Sequence, residues 1–137
     1  MPSRNCAGPK RSALARMAAG PTVQFLGRLS DEEVVGLYRR CRLLVFPGEE
    51  DYGIVPLEAQ ACGRPVVAFG RGGALETVAD GVSGVFFPEQ TEEALEDAVQ
   101  RAARTDWDPA AIRANAEKFG PAQFLEGMAR EIRAVLA

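Results

Sequence analysis

The sequence of 137 residues contains no histidine. This absence removes three kinds of enzyme chemistry at once: the Ser-His-Asp triad, the Cys-His pair and metal sites built on imidazole. Any catalysis must therefore use carboxylates, backbone groups, groups of the substrate or residues from another chain.

Cysteine is scarce, and the three that occur, Cys6, Cys41 and Cys62, are widely spaced. An odd number at such spacing predicts neither a disulfide framework nor a zinc site, so we expect reduced thiols. Long apolar runs are missing as well. None approaches the roughly 20 residues needed to cross a bilayer, and the N-terminus lacks the apolar segment of a signal peptide. We therefore expect a cytoplasmic location.

A strong excess of charge is also missing, since 16 Lys and Arg face 19 Asp and Glu. The formal net charge of -3 gives no broad attraction to phosphate backbones, which argues against nucleic acid as a partner. The content of 47% hydrophobic and 26% charged residues is typical of a soluble globular protein of one domain. We expect a single domain over residues 1–137.

Short apolar runs alternate with amphipathic stretches along the chain. The predicted strands are Val23 to Leu26, Leu43 to Phe46, Val66 to Phe69 and Gly84 to Phe87. The predicted helices are Arg11 to Ala19, Ser30 to near Cys41, Ile54 to Ala61, Ala74 to Val78, and three that begin at Thr91, Asp108 and Pro121. Strands and helices in alternation with short connections predict a parallel sheet with flanking helices, a Rossmann-like α/β fold.

Ligands of open parallel sheets bind beyond the carboxyl ends of the strands, where loops run into helices. The loop after the second predicted strand holds Glu50, Tyr52 and Gly53, and the helix that begins at Ile54 carries Glu58. Gly53 lets backbone amides approach a ligand, and the start of this helix is an anion site suited to a diphosphate.

The two carboxylates on either side of this helix start, Glu50 and Glu58, can accept paired hydrogen bonds from the vicinal hydroxyls of a ribose or a hexose. Spacing alone is equally consistent with a solvated loop charge at Glu50 and a surface charge at Glu58. A second loop, Gly72-Gly73, opens a helix on the same rim. It either contacts the nucleotide or closes the sugar site, or it is only a structural turn.

The run FPGEEDYGIVPLEAQACGRPVV at residues 46–67 resembles the motif of retaining glycosyltransferases of family 4, which have the GT-B fold. That motif has two glutamates separated by seven residues, followed by Ala and a Cys-Gly-Pro-Val turn. Glu50 and Glu58 occupy the two glutamate positions. The resemblance continues in VQFLGRL at residues 23–29 and in GGALETVADGVSGVFF at residues 72–87, and it is strongest over residues 21–120.

The resemblance implies a C-terminal donor-binding domain in which Glu58 holds the ribose hydroxyls of a nucleotide sugar. Glu50 would contact the donor sugar as the catalytic residue. The backbone of Tyr52, Gly53 and Ile54 would meet the distal phosphate and the sugar, beside Gly72-Gly73. The resemblance further implies a hexosyltransferase without metal or cofactor, using a nucleotide diphosphate sugar. The fuller pattern of AFGRGGALETV at residues 68–78, GVFFPEQT at 84–91 and IRANAEKF at 112–119 is most similar to mannosyltransferases. GDP-mannose is therefore the favoured donor.

Two parts of the family pattern do not occur in the printed sequence. These are the N-terminal acceptor domain and an Arg and Lys pair that clamps the donor diphosphate. We therefore expect a partial, N-terminally truncated domain that binds its donor weakly and is inactive alone. Three hypotheses stay open: a shortened glycosyltransferase, one subunit of a split enzyme, and a non-catalytic nucleotide-sugar-binding module.

The incomplete sheet and the family resemblance together predict the partners. A sheet that lacks neighbouring strands exposes an edge, which predicts self-association or pairing with another polypeptide. The resemblance also suggests lipid-linked acceptors at the inner face of a membrane, so we expect at most peripheral membrane contact.

Overall fold

A computed structural model of the chain describes residues 15–137. Contacts divide the chain into two compact units, of which the first ends at Ser30 and the second spans Asp31–Ala137. In the first unit, residues 15–18 are helical and the guanidinium carbon of Arg16 lies 5.0 Å from the centroid of the Phe25 ring. The helix predicted from Arg11 lies partly outside the described residues. The prediction of a single domain stays a prediction.

The strand predicted at Val23 to Leu26 does not form, so this prediction is wrong. Val23, Phe25 and Leu26 remain 52%, 40% and 50% exposed. A strand exists only through hydrogen bonds to a neighbouring strand, and no strand within residues 15–137 pairs with this segment. An apolar run predicts side chains suited to a strand, but it does not supply the partner.

The second unit follows the predicted alternation, with bounds within one residue of those expected. Its elements are α1 (Asp31–Arg40), β1 (Leu44–Phe46), α2 (Ile54–Ala61), β2 (Val66–Phe69), α3 (Ala74–Thr77), β3 (Gly84–Phe87), α4 (Glu92–Arg104), α5 (Pro109–Glu117) and α6 (Pro121–Leu136). Side-chain caps fix two of the helix starts. Thr91 Oγ1 accepts a hydrogen bond from the Ala94 amide, and Asp108 Oδ1 accepts one from the Ala110 amide.

The three strands form a parallel sheet in the order β1, β2, β3. Leu44 pairs with Val66 and Val66 with Gly84, and this register continues to the ends of the strands. The central strand β2 is buried at all four positions, as expected of a strand covered on both faces. The structure confirms the predicted Rossmann-like layer.

Two hydrophobic clusters lie on the two faces of the sheet, because successive side chains of a strand point to opposite sides. Val66 and Ala68 belong to the first cluster, which helices α2 and α3 cover. Val67 and Phe69 belong to the second, which α4 covers. The buried residues are Phe46, Ala59, Val66, Ala68, Ala74 and Val78 in the first, and Val67, Phe69, Val85, Phe87, Ala98 and Ala102 in the second.

Helix α6 differs from the other long helices because its apolar side chains are not covered. Phe124, Leu125, Met128, Ile132 and Val135 recur at helical spacing and are all exposed by 46% or more. Within residues 15–137, no helix combines the length and the apolar character that crossing a membrane requires.

Candidate functional site

The candidate site lies at the edge of the sheet where all three strands end. Because the strands are parallel, the loops that follow Phe46, Phe69 and Phe87 lie along this edge. Gln90 Nε2 donates a hydrogen bond of 2.9 Å to the Pro47 carbonyl, which joins the loop after β3 to the loop after β1. The fold therefore brings together loops that are about forty residues apart in sequence.

Gly53 sets the direction in which the chain enters α2. Its backbone is left-handed, with φ 75° and ψ 67°, a conformation that a side chain would strain. No side chain caps this helix start. The backbone N–H groups of the first turn have no intrahelical acceptors, and Pro56 in that turn has no N–H. The geometry suits an anion held by main-chain amides.

Glu58 lies one turn further into α2 and is half-buried. The hydroxyl of Tyr38, in α1, donates a hydrogen bond of 2.9 Å to Glu58 Oε2. The Tyr38 ring packs against the first hydrophobic cluster, so the hydroxyl is held in place by the core. In the sequence, Tyr38 is one of the apolar residues of the helix predicted from Ser30, and no role in the site is predicted for it. The one indication of its contact with Glu58 is that this apolar position carries a tyrosine, whose hydroxyl can donate a hydrogen bond, and not a phenylalanine.

A cavity of about 510 Å³ opens beside Glu58. Its walls are largely apolar, with three charged side chains among them. The lining residues are Tyr52, Ile54, Leu57, Glu58, Ala61, Arg113, Ala116, Glu117 and Phe119. Of the residues predicted for the site, Tyr52, Ile54 and Glu58 line this cavity, while Glu50, Gly53, Gly72 and Gly73 do not.

Sequence reasoning missed the far wall of the cavity, which α5 and the turn after it supply through Arg113, Glu117 and Phe119. These residues lie more than fifty positions after Glu58. Only the contact between α5 and α2 brings them to the site. The run IRANAEKF around Arg113 is part of the family resemblance, but none of its residues is predicted for the site from the sequence.

The Gly72-Gly73 turn is in direct backbone contact with the loop that carries Glu50. The Gly73 amide donates a hydrogen bond of 2.7 Å to the Glu50 carbonyl. A Cβ atom at Gly72 would lie 2.5 Å from Glu50 O, and one at Gly73 would lie 2.4 Å from Tyr52 O. Both positions therefore require glycine, and the turn fixes the main chain of the Glu50 loop.

The two predicted carboxylates differ in their surroundings. Glu58 is half-buried at the cavity, whereas Glu50 is exposed in a loop whose main chain is hydrogen-bonded to Gly73. The roles assigned to them, and to the other predicted site residues, stay predictions.

Within residues 15–137, no group of three or more Cys, Asp or Glu side chains is placed to hold a metal ion.

Comparison with known proteins gives the family. Residues 10–119 match the family described as glycosyl transferases group 1. The chain belongs to that family. The glycosyl transferase group 1 match includes both glutamates, the Gly72-Gly73 turn and the α5 wall of the cavity. The chain is thus a domain of a glycosyltransferase family, as the sequence motif indicated.

Among curated relatives, this group 1 domain is 38% identical over 122 residues to D-inositol 3-phosphate glycosyltransferase of Mycolicibacterium smegmatis, covering 80% of this chain and 28% of that protein. It is 34% identical over 122 residues to human alpha-1,3/1,6-mannosyltransferase ALG2, covering 85% of this chain and 29% of that protein. The chain therefore spans less than a third of the length of either relative.

Among solved structures, the group 1 domain is similar to Anabaena Alr3699/HepE, whose crystal structure is a complex with UDP and glucose. The TM-score is 0.66 at 27% sequence identity, and the match covers 90% of this chain and 35% of that one. The structural neighbours are GT-B glycosyltransferases, which agrees with the Rossmann-like fold.

Proposed function

We propose that this chain is the donor-binding domain of a hexosyltransferase that acts on a nucleotide diphosphate sugar with retention of configuration. The observation that carries the proposal is Glu58, which lines a cavity, accepts a hydrogen bond from Tyr38 and lies one helical turn beyond the uncapped start of α2. The carboxylate can accept hydrogen bonds from ribose hydroxyls, and the main-chain amides at the helix start can donate hydrogen bonds to phosphates.

In this proposal Glu58 accepts hydrogen bonds from the ribose, and the amides around Gly53 and Ile54 meet the distal phosphate. Glu50 contacts hydroxyls of the donor sugar as the catalytic residue, and the main chain of Tyr52 and the Gly72-Gly73 turn complete the site. The leaving phosphate assists removal of the acceptor proton, so no histidine, metal or cofactor is required by the mechanism.

The proposed sugar is mannose, carried by GDP. The resemblance of the sequence to mannosyltransferases supports this, as does the similarity to the human mannosyltransferase ALG2. HepE was solved with UDP and glucose, which supports UDP-glucose as the competing donor. A panel of GDP, UDP and their sugars therefore tests the base and the sugar together.

Calorimetry with the purified chain tests the site. We expect Glu58→Ala to weaken binding of the preferred nucleotide by about 1 to 3 kcal/mol, the usual cost of losing a hydrogen bond to a charged group. Glu96→Ala is the matched control, because it removes the same charge from an exposed position of α4, on the other face of the sheet. Equal binding by wild type and Glu58→Ala would show that the ribose assignment is wrong, and no binding to any nucleotide would refute donor binding itself.

We further propose that transfer needs an acceptor-binding partner, either another domain or a separate chain. The edge strand β1 supports this proposal, because one of its sides has no strand neighbour within the described residues and Val45 on it is 39% exposed. A non-catalytic binding module is the alternative, and transfer assays distinguish the two. Restored transfer on adding a partner supports the first proposal, binding without transfer under all conditions supports the module, and transfer by the chain alone refutes both.

Self-association through the edge of β1 is tested by a separate experiment. Sedimentation equilibrium over a range of concentrations should show dimers that Val45→Lys weakens, because a charge on an edge strand opposes pairing. A monomer at all concentrations would show that β1 does not pair with a second copy.

A further inference from the structure

The four buried polar residues of the described part of the chain belong to one hydrogen-bonded cluster, in which three take part through their side chains and Thr77 through its main-chain carbonyl. They are Gln60 in α2, Thr77 in α3, Ser83 before β3 and Asn115 in α5, and each is at most 6% exposed. Buried polar groups are tolerated when they are hydrogen-bonded, and a cluster that joins several elements fixes their relative positions. The proposed mechanism uses none of these four residues.

Asn115 lies at the centre of this cluster. Its Nδ2 is 2.9 Å from the Thr77 carbonyl, 2.7 Å from Gln60 Oε1 and 3.2 Å from Ser83 Oγ. The Thr77 carbonyl also accepts a bond from Gln60 Nε2, at 3.1 Å. Since a backbone carbonyl can only accept, the amide nitrogens of both Asn115 and Gln60 must face it. This requirement fixes the orientation of both side chains.

Two short paths lead from Asn115 to the candidate site. The first runs through Gln60, which lies two residues after Glu58 on the same helix. The second runs through Thr77, whose Oγ1 donates to the Gly73 carbonyl at 3.1 Å, while the Gly73 amide donates to the Glu50 carbonyl at 2.7 Å. One buried amide therefore connects the helix of Glu58 with the loop of Glu50.

The second path has little freedom to adjust, because no Cβ atom fits at Gly73 against Tyr52. A shift of α3 would be transmitted to the Gly72-Gly73 turn and then to the Glu50 loop. Asn115 itself does not line the cavity, although Arg113, Ala116 and Glu117 of the same helix do. Any effect of Asn115 on a ligand is therefore indirect.

We infer that Asn115 is a positioning residue of the donor site, which fixes the helix of Glu58 and the loop of Glu50 relative to each other through Gln60, Thr77 and Gly73. The inference rests on the proposed function for the identity of the ligand. The coupling between α5 and the Gly73 turn can be measured without any ligand.

The test uses Asn115→Asp in the full chain. This nearly isosteric change removes both N–H groups and places a carboxylate among oxygen acceptors, so the contacts to Thr77 and Gln60 are lost. The matched controls are Ile112→Val and Ile112→Ala. Ile112 is fully buried on the same helix, and its side chain makes no hydrogen bond. Of the two controls, the one whose thermal stability is nearer to that of Asn115→Asp is used for the comparison. If Asn115→Asp does not fold, Asn115→Ser removes the same N–H groups without adding a charge.

The first measurement is amide hydrogen exchange at Gly73 by NMR, without ligand. We expect exchange to be about tenfold faster, or more, in Asn115→Asp than in the Ile112 control, because the turn loses its connection to α5. Equal exchange at Gly73 in the two variants overturns the inference.

The second measurement is the Kd for GDP and UDP. We expect Asn115→Asp to raise the Kd about tenfold relative to the Ile112 control, and to raise it less when Glu58→Ala is already present, because Asn115 acts through the position of that carboxylate. A Kd equal to that of the control overturns the positioning role. If the wild-type chain binds neither nucleotide, or Glu58→Ala has no effect, the proposed function fails, while exchange at Gly73 still decides whether Asn115 holds the turn.

Discussion

The region from β1 to α5 and the helix α6 show similar apolar patterns and opposite outcomes. Within β1 to α5, twelve buried apolar residues form two clusters on the two faces of one sheet. In α6, an equally regular stripe of five apolar residues is exposed by 46% or more. Amphipathic spacing therefore predicts that a helix forms, but only the neighbouring elements decide whether its apolar face is buried.

The largest expected effect comes from truncating one phenylalanine in each region. Phe87 in β3 is 1% exposed and Phe124 in α6 is 65% exposed. We expect Phe87→Ala to lower the free energy of unfolding by about 3 to 5 kcal/mol, through lost burial and a new cavity. Phe124→Ala should change it by no more than about 0.5 kcal/mol, as for other exposed positions. Denaturant unfolding measures both values.

A large loss of stability in Phe124→Ala would contradict this comparison, because it would mean that α6 is covered in solution. Repeating the measurement at several protein concentrations is the control, since a covering second copy would make the loss depend on concentration.

The second comparison uses two glycines. A Cβ atom at Gly73 would lie 2.4 Å from the Tyr52 carbonyl oxygen, whereas a Cβ at Gly127 in α6 meets nothing within 4 Å. Gly73→Ala should therefore destabilise the fold by about 1 to 3 kcal/mol, the usual cost of overpacking. Gly127→Ala should stabilise it by roughly 0.5 to 1 kcal/mol, because alanine is the better helix former. Thermal unfolding of both variants measures the difference. Equal effects would show that the Gly73 turn can accommodate a Cβ atom without loss of stability.

The third comparison lies inside the buried region and concerns the hydroxyl of Tyr38. Tyr38→Phe keeps the ring in the first cluster but removes the hydrogen bond to Glu58. We expect nucleotide binding to weaken by about 0.5 to 1.5 kcal/mol, because the carboxylate loses the hydrogen bond from the Tyr38 hydroxyl. Calorimetry measures the change. In a Glu58→Ala background the same substitution should have almost no effect, and an equal effect in both backgrounds would exclude action through Glu58.

The smallest effect concerns Cys41, which is half-buried just after α1. Burial raises the pKa of this thiol, with a further rise from Cys62 and a partly opposing effect of the Arg64 charge. The unfolded chain therefore loses the thiol proton first as the pH rises, so stability should fall above the ordinary thiol pKa of about 8.5 and level off above the folded value. Urea unfolding between pH 7 and 10 should show a weaker alkaline decline in Cys41→Ala than in the wild-type chain. An identical decline would contradict the assignment to Cys41.

Most of the secondary structure followed from local chemistry. Thr91 and Asp108 cap the helices that they were expected to start, and the uniformly apolar run at residues 66–69 became the central strand. These features depend on neighbours within a few residues, which the sequence shows directly. The segment at residues 23–26, apolar except for Gln24, was also expected to be a strand but does not form one, since pairing depends on a partner that no local pattern specifies.

The sequence by itself also determined the family, through the pair Glu50 and Glu58 and the glycines around them, because a fixed spacing across one loop and one helix start is local information. Only the tertiary structure decided which residues surround Glu58. Tyr38 and Arg113 come from other helices and meet the site because α1 and α5 pack against α2, and the same packing brings Asn115 to Gln60 behind it. Contacts between distant elements depend on how their faces fit together, and residue spacing along the chain does not contain that information.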